Sequence, residues 1–337
     1  MEKPVRMGIL GTGMIVDWIM GDIARAPSVR VAAIASRSLE RARAAAAKYG
    51  IETAYGSYEE MAQSDQVDLV YIATPNNRHY DDAMLMMTHG KAVLCEKPMP
   101  LYEDECRRMI DFARERRVFL MEGLWTRFFP AVARVRALLE EGAIGEVRHV
   151  ESAFLCGVDY DDSKKDHRLF SMKLGGGSLL DLGIYCLGAT VMALGANVRT
   201  VQSLFVPAPT GADMRASVQM QYETGATAHF TCGFDLTGRA TEFIYGSKGS
   251  IELDGFLSPT ALTLRLSGGE TREYRFPAEK RGHWHEFEHV AECLLNGKME
   301  SPLMPLSESL AMSRLMTRLR HEWGVIYPEE TRGGDAR

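Results

Sequence analysis

The first third of the chain alternates short, wholly apolar runs with longer segments whose apolar residues return every three or four positions. The runs at 5–10, 29–36, 68–74, 92–98 and 118–123 read as strands buried on both faces. Between them, 11–26, 39–50, 57–64, 76–90 and 101–117 carry helical spacing, with Ser57 as a cap and Gly50 and Gly90 as stops. The piece at 52–57 reads as short and extended. Strand and helix in regular alternation predict a doubly wound parallel sheet with right-handed crossovers.

The rhythm changes after Gly123. A long helix over 128–145 is followed by runs of period-two alternation at 149–155, 201–208, 215–234, 241–255 and 262–269, with glycine turns between several of them. Such a pattern predicts a large, open, mostly antiparallel sheet. Helical spacing returns at 177–195, 284–297 and 307–324, and the polar residues 331–337 form a loose end. The expected fold is thus α/β: a Rossmann-type first domain over 1–123 and an α+β second domain over 124–337.

Composition narrows the partners. The 337 residues are 46% hydrophobic and carry a formal charge of −6, ordinary for a globular protein and unfavourable for nucleic acid or an anionic membrane. No apolar run reads as long enough to span a bilayer, and the N-terminal stretch lacks a small-residue cleavage pattern. Six cysteines without a CxxC pair read as buried or half-buried thiols of a reducing compartment, so the cytoplasm is the expected location.

Candidate chemistry begins at Gly11-Thr12-Gly13-Met14-Ile15, which follows a strand and opens a helix. Such a turn lets backbone N–H groups approach the pyrophosphate of a dinucleotide at the positive end of the helix. Val16 replaces the usual third small residue. The second strand ends in Ser36-Arg37-Ser38, with Arg41 one turn on, where an NAD enzyme usually carries Asp or Glu. Hydroxyls and guanidinium can hold a 2′-phosphate that a carboxylate would repel, so NADP is the expected cofactor, with NAD second. The competing reading is a solvated helix start in which both arginines pair with Glu40.

Cys95-Glu96-Lys97-Pro98-Met99, preceded by Ala73-Thr74-Pro75-Asn76 and His79, resembles the Gfo/Idh/MocA oxidoreductase family. Trp125-Thr126-Arg127-Phe128-Phe129-Pro130, the segment Gly175–Cys186 and Pro305-Leu306-Ser307-Glu308-Ser309 are similar to its dimeric dihydrodiol dehydrogenase and NADP-dependent D-xylose dehydrogenase branch. The resemblance implies that Lys97 is catalytic, beside the nicotinamide, and that its bond to Pro98 is commonly cis. It places Thr74, Pro75, Asn76, His79, Glu96, Trp125 and Arg127 near the cofactor. It also implies a sugar, polyol or diol substrate, a site between the two domains, and a homodimer or higher oligomer formed through the open sheet, whose face would otherwise be apolar.

Carbonyl reduction needs a cation or proton donor at the developing alkoxide, which a lysine ammonium provides. Asp181 and Tyr185, four apart, project from one helix face. Tyrosine ordinarily titrates near pH ~10, and a neighbouring ammonium would lower that value. Lys97 and Tyr185 are therefore read as the proton-handling pair and Asp181 as an orienting acid. No metal is expected: His283, His285 and His289 lack an evident fourth ligand, and Gly175–Ser178 reads as a turn with a capping serine. The rivals are an inositol dehydrogenase, an anhydrosugar or ketosugar reductase, and a non-catalytic NADP(H)-sensing regulator.

Overall fold

The computed structural model describes residues 3–158, 160–238, 240–279 and 281–328, which divide into two compact units. The first holds six strands: β1 (Val5–Leu10), β2 (Val29–Ala35), β3 (Thr53–Tyr55), β4 (Leu69–Ile72), β5 (Ala92–Glu96) and β6 (Leu120–Gly123). All neighbours are parallel, in the order β3-β2-β1-β4-β5-β6. The expected doubly wound sheet is therefore present, and its order reverses between β1 and β4, the place where such sheets open a ligand crevice at their carboxyl ends.

Helices α1 (Met14–Ile23), α2 (Leu39–Tyr49), α3 (Tyr58–Gln63), α4 (His79–Thr88) and α5 (Glu103–Arg116) join the strands. Ser57 caps α3 by accepting from the Glu60 amide, and the Glu60 carboxylate returns to the Gly56 amide at 3.0 Å. On α5 the buried positions are Cys106, Met109, Ile110 and Ala113, a helical stripe facing the sheet.

The first unit also takes Arg281–Ser313, which a division at residue 123 assigns to the second part. The physical reason lies in α8 (Trp284–Leu295), the eighth helix along the chain once α6 (Pro130–Glu140) and α7 (Ile184–Leu194) are counted. Asp22 accepts from the amides of Gly282 and His283 at 2.8 and 2.9 Å, and buried Phe287 meets Tyr71 edge-on at 5.4 Å. The apolar face of α8 thus finishes the core of the nucleotide-type sheet.

The second unit holds β7 (Val147–Leu155), β8 (Val198–Pro207), β9 (Asp213–Tyr222), β10 (Thr227–Gly233), β11 (Thr241–Gly246), β12 (Gly249–Asp254), β13 (Ala261–Leu266) and β14 (Thr271–Arg275), ordered β14-β13-β12-β11-β7-β10-β9-β8. Every described pair is antiparallel except β7 with β10. Helix α7 covers one face, and Gly183 makes the approach close: a Cβ there would lie 3.1 Å from Cys232 Sγ on β10. The helical stretch Met172–Leu194 is, by length and composition, apolar enough to cross a membrane, contrary to the expectation that no run is; 78% of its most apolar window is buried inside the fold, as a core helix requires.

Two further expectations change. Cys156 is exposed, while the other five thiols are buried. Part of the open face is polar: Thr200, Gln202, Gln219, Gln221, His149 and His229 line a depression over β7, β10, β9 and β8, while Leu204, Val206 and Tyr245 are exposed apolar residues on the same face. The last helix, α9 (Leu306–Glu322), begins in the first unit and ends in the second. Asp159, Arg239 and 331–337 lie outside the described residues.

Candidate active site

The carboxyl ends of β1, β2, β4 and β5 carry most of the predicted cofactor residues. Gly11 donates to Ala35 O at 2.9 Å, and its φ of +112° favours glycine. A Cβ there would come within 2.7 Å of the Ala73 carbonyl oxygen, so the turn lies hard against the end of β4. Gly13 is the N-cap of α1, and no side chain caps that end. A Cβ built on Gly13 meets nothing within 4 Å, which leaves space over the first turn for an anion held by N–H groups and the helix dipole. Thr12, Met14 and Ile15 are accessible in the same turn, whereas Val16, the departure from the glycine pattern, is buried.

At the end of β2, Ser36 is buried and its Oγ accepts from the Ser38 amide at 3.4 Å. Ser38 caps α2 by accepting from the Arg41 amide at 3.4 Å. Each hydroxyl accepts, which leaves its hydrogen to donate to a phosphate. Arg37 and Arg41 are exposed, as a solvated helix start would also leave them, and among the described residues neither forms an ion pair with Glu40.

After β4, Thr74 donates to Asp82 at 2.7 Å and Arg78 pairs with the same carboxylate at 2.8 Å. Burial still holds the Asp82 carboxyl above the usual range. Asn76 opens a short 3₁₀ turn that Pro75 precedes. His79 is a correction. It is fully buried, with Nδ1 2.9 Å from Pro98 O and Nε2 2.9 Å from Thr74 O. Both ring nitrogens face carbonyl oxygens, to one of which a neutral imidazole donates, so His79 ties the Thr74 and Pro98 turns together and, fully buried, presents no surface to a cofactor.

The Lys97–Pro98 bond is cis. Beside it the Met99 amide donates to the Glu122 carboxylate at 2.9 Å, so the turn carrying Lys97 is held by Glu122 on one side and His79 on the other. Glu96 is buried and accepts from the Tyr71 hydroxyl; Glu286, fully buried, finds no hydrogen-bond partner among the described residues. Burial and then the charge of Glu96 push the Glu286 carboxyl well above its usual range. Trp125 stacks on His283 at 4.3 Å. His285 stacks on Trp284 and His289 bonds Ser301, so the three histidines have three different partners.

Asp181 and Tyr185 both belong to the second unit, on the segment leading into α7. Its first turn, Leu179–Gly183, is π-helical rather than α-helical, a form frequent at functional sites. The expected Ser178 cap is also corrected. Ser178 makes no side-chain cap; Asp213 of β9 accepts from the Leu179 amide at 2.6 Å and from Ser178 Oγ at 2.8 Å. Burial raises the Asp213 carboxyl to about 6. Asp181 pairs with Arg168 at 2.9 Å, and Tyr185, largely buried, meets Phe154 edge-on. Arg127 is buried in the second unit, donating to Gly188 O at 2.9 Å, which makes it a brace of α7.

Arg127 also faces Glu242, whose carboxyl burial raises from 4.5 to about 7 against the pull of that charge. An unfolded chain releases this proton near 4.5, so the stability Glu242 contributes is full below that pH and lost as pH rises through about 7. At roughly 1.4 kcal/mol per pH unit, the loss is on the order of 3 kcal/mol. Thermal unfolding followed across this window should show a decline that Glu242→Gln flattens; parallel curves for the two proteins would refute the assignment.

The sequence reading missed Glu122, Asp213 and Glu286. A carboxylate inside the apolar run ending β6 is a signal that could have found Glu122; Asp213, 34 residues from the amide it caps, leaves no local signal.

Residues 5–124 match the sequence model of an oxidoreductase family with an NAD-binding Rossmann fold, Gfo/Idh/MocA, and residues 132–252 match that family's C-terminal domain. The chain belongs to the Gfo/Idh/MocA oxidoreductases. It is 36% identical to a trans-1,2-dihydrobenzene-1,2-diol dehydrogenase of Mus musculus, over 97% of this chain and 99% of that one. The Homo sapiens enzyme of the same name is 35% identical at the same coverage. Among solved structures, a 3-ketoreductase from Actinomadura kijaniata with NADP and TDP-benzene aligns at TM-score 0.82 and 25% identity, covering 95% of this chain and 98% of that one. An aldose-aldose oxidoreductase from Caulobacter crescentus with glycerol aligns at 0.83 and 26%, with the same coverage.

Proposed function

We propose that this oxidoreductase uses NADP(H) to interconvert the CH–OH and C=O of a sugar, polyol or trans-dihydrodiol. The observation that carries the reading is the convergence, at the carboxyl ends of β1, β2 and β5, of an uncapped helix start, a carboxylate-free corner with exposed Arg37, and the braced Lys97 turn. The dinucleotide fits these residues: the space over Gly13 suits the pyrophosphate, and Ser36, Ser38, Arg37 and Arg41 suit a 2′-phosphate. The substrate classes come from the relatives, which include diol dehydrogenases, a sugar-nucleotide ketoreductase and an aldose oxidoreductase.

When bound, the nicotinamide supplies or accepts the hydride. Lys97 holds the substrate oxygen through its ammonium and stabilises the charge that develops there. Tyr185 handles the hydroxyl proton, and Asp181, through Arg168, orders the loop before it. A homodimer or higher oligomer is part of this reading on the resemblance alone; light-scattering mass tests it.

Absorbance at 340 nm with NADP⁺ or NAD⁺ against aldoses, inositols and trans-diols tests the function. Turnover with one of them, preferring NADP⁺, is expected; NADPH binding without turnover on any would favour the regulator. Arg37→Ala should raise KM for NADP⁺ by about 10- to 100-fold, the worth of one charge-assisted bond, and leave KM for NAD⁺ nearly unchanged. Equal shifts for both cofactors would remove Arg37 from 2′-phosphate recognition.

A further inference from the structure

The parallel pairing of β7 with β10 sets His149 opposite Thr227 and Glu151 opposite His229. Their neighbours Val150, Ala228 and Phe230 point into the core, so these four residues share the open, polar face of the sheet. One nitrogen from each imidazole and one Glu151 oxygen lie within 4.8 Å of one another. His229 Nε2 is 3.8 Å from Glu151 Oε1, and the two rings are 5.4 Å apart between centroids. Thr227 Oγ1 lies 2.8 Å from His149 Nδ1, the second-sphere contact that fixes a ligating imidazole.

We propose that His149, Glu151 and His229 form a binding site for a late first-row divalent cation such as Zn²⁺, with water completing its coordination. Two imidazoles and a carboxylate select such ions over Mg²⁺ or Ca²⁺. Metal–ligand bonds of about 2.0–2.2 Å require donors closer together than they now stand. In the single chain the side chains of His229 and Glu151 are 40% and 43% exposed, so rotation about side-chain bonds closes the gap without moving the strands; a second copy packed on this sheet would cover the site. The adjoining depression, about 380 Å³ and lined by Thr200, Gln202, Gln219 and Gln221, holds the water ligands. The bound ion would pin the one described parallel pair of a sheet otherwise paired antiparallel.

Calorimetric titration of the untagged, full-length protein with ZnCl₂ is expected to show one saturable equivalent. His229→Ala should abolish that equivalent, and Thr227→Val should weaken it by about tenfold, as loss of a second-sphere bond does. Circular dichroism checks that each variant is folded. Absence of saturable binding overturns the site. So does binding that survives His229→Ala, or binding lost instead in His285→Ala, which would move it to the histidines before α8.

Discussion

Replacing Lys97 by alanine should lower kcat by about 10²- to 10⁴-fold, the range for loss of a positioned proton-handling group. The change removes the ammonium and leaves the turn's braces in place, since His79 meets Pro98 O and Glu122 accepts from the Met99 amide. Melting temperature and NADPH affinity by fluorescence should therefore stay near wild type, which separates loss of chemistry from loss of fold. Tyr185→Phe is the companion: a fall in kcat with an altered pH profile supports the second proton role, whereas near-normal kcat removes it. Turnover retained in Lys97→Ala would leave the reaction without its assigned electrophile.

Gly11→Ala should cost both stability and cofactor. The φ of +112° charges an alanine about 1–3 kcal/mol of strain, and its Cβ would press to 2.7 Å on the Ala73 carbonyl, a backbone atom that cannot rotate aside. Crowding of that kind adds roughly 1–3 kcal/mol more. Relief by shifting the turn would spoil the array of amides over α1, so NADPH affinity should fall by at least tenfold alongside a lower Tm. Gly13→Ala is the control, since its Cβ meets no protein atom: it should leave Tm nearly unchanged and weaken NADPH alone. Unaltered cofactor affinity in both variants would show that the turn holds no pyrophosphate.

Much of this was legible because the signals were local. The apolar runs that became β1, β2, β4, β5 and β6 are buried on both faces, so they need no alternation and stand out in the sequence. Ser57 and Gly50 sit at the helix ends they predicted. The edge strand β14 escaped because Thr271-Arg272-Glu273-Tyr274-Arg275 is charged and mostly exposed, as an unpaired edge favours, and only the turn at 267–270 announced it. Residues whose surroundings depend on distant partners were less legible. The sequence shows the polar side chains of His79 and Arg127 but not the burial of either, nor the carbonyls of Thr74, Pro98 and Gly188 beside them. The sheet face expected to be apolar is mixed: alternation showed which residues face outward, but Gln202, Gln219, His149 and His229 were not weighed beside Leu204, Val206 and Tyr245 as its surface.

The return of Arg281–Ser313 to the first unit has a consequence for how the protein is made. Synthesis proceeds from the N-terminus, so a nascent chain that has reached residue 123 owns all six parallel strands but not the helix whose Phe287 covers Tyr71. The nucleotide-binding half must wait, part-built and with apolar surface open, until the ribosome has delivered the whole second sheet. Its completion is thereby coupled to near-completion of the polypeptide, and a fragment cut at residue 123 is an unfinished core rather than an independent module.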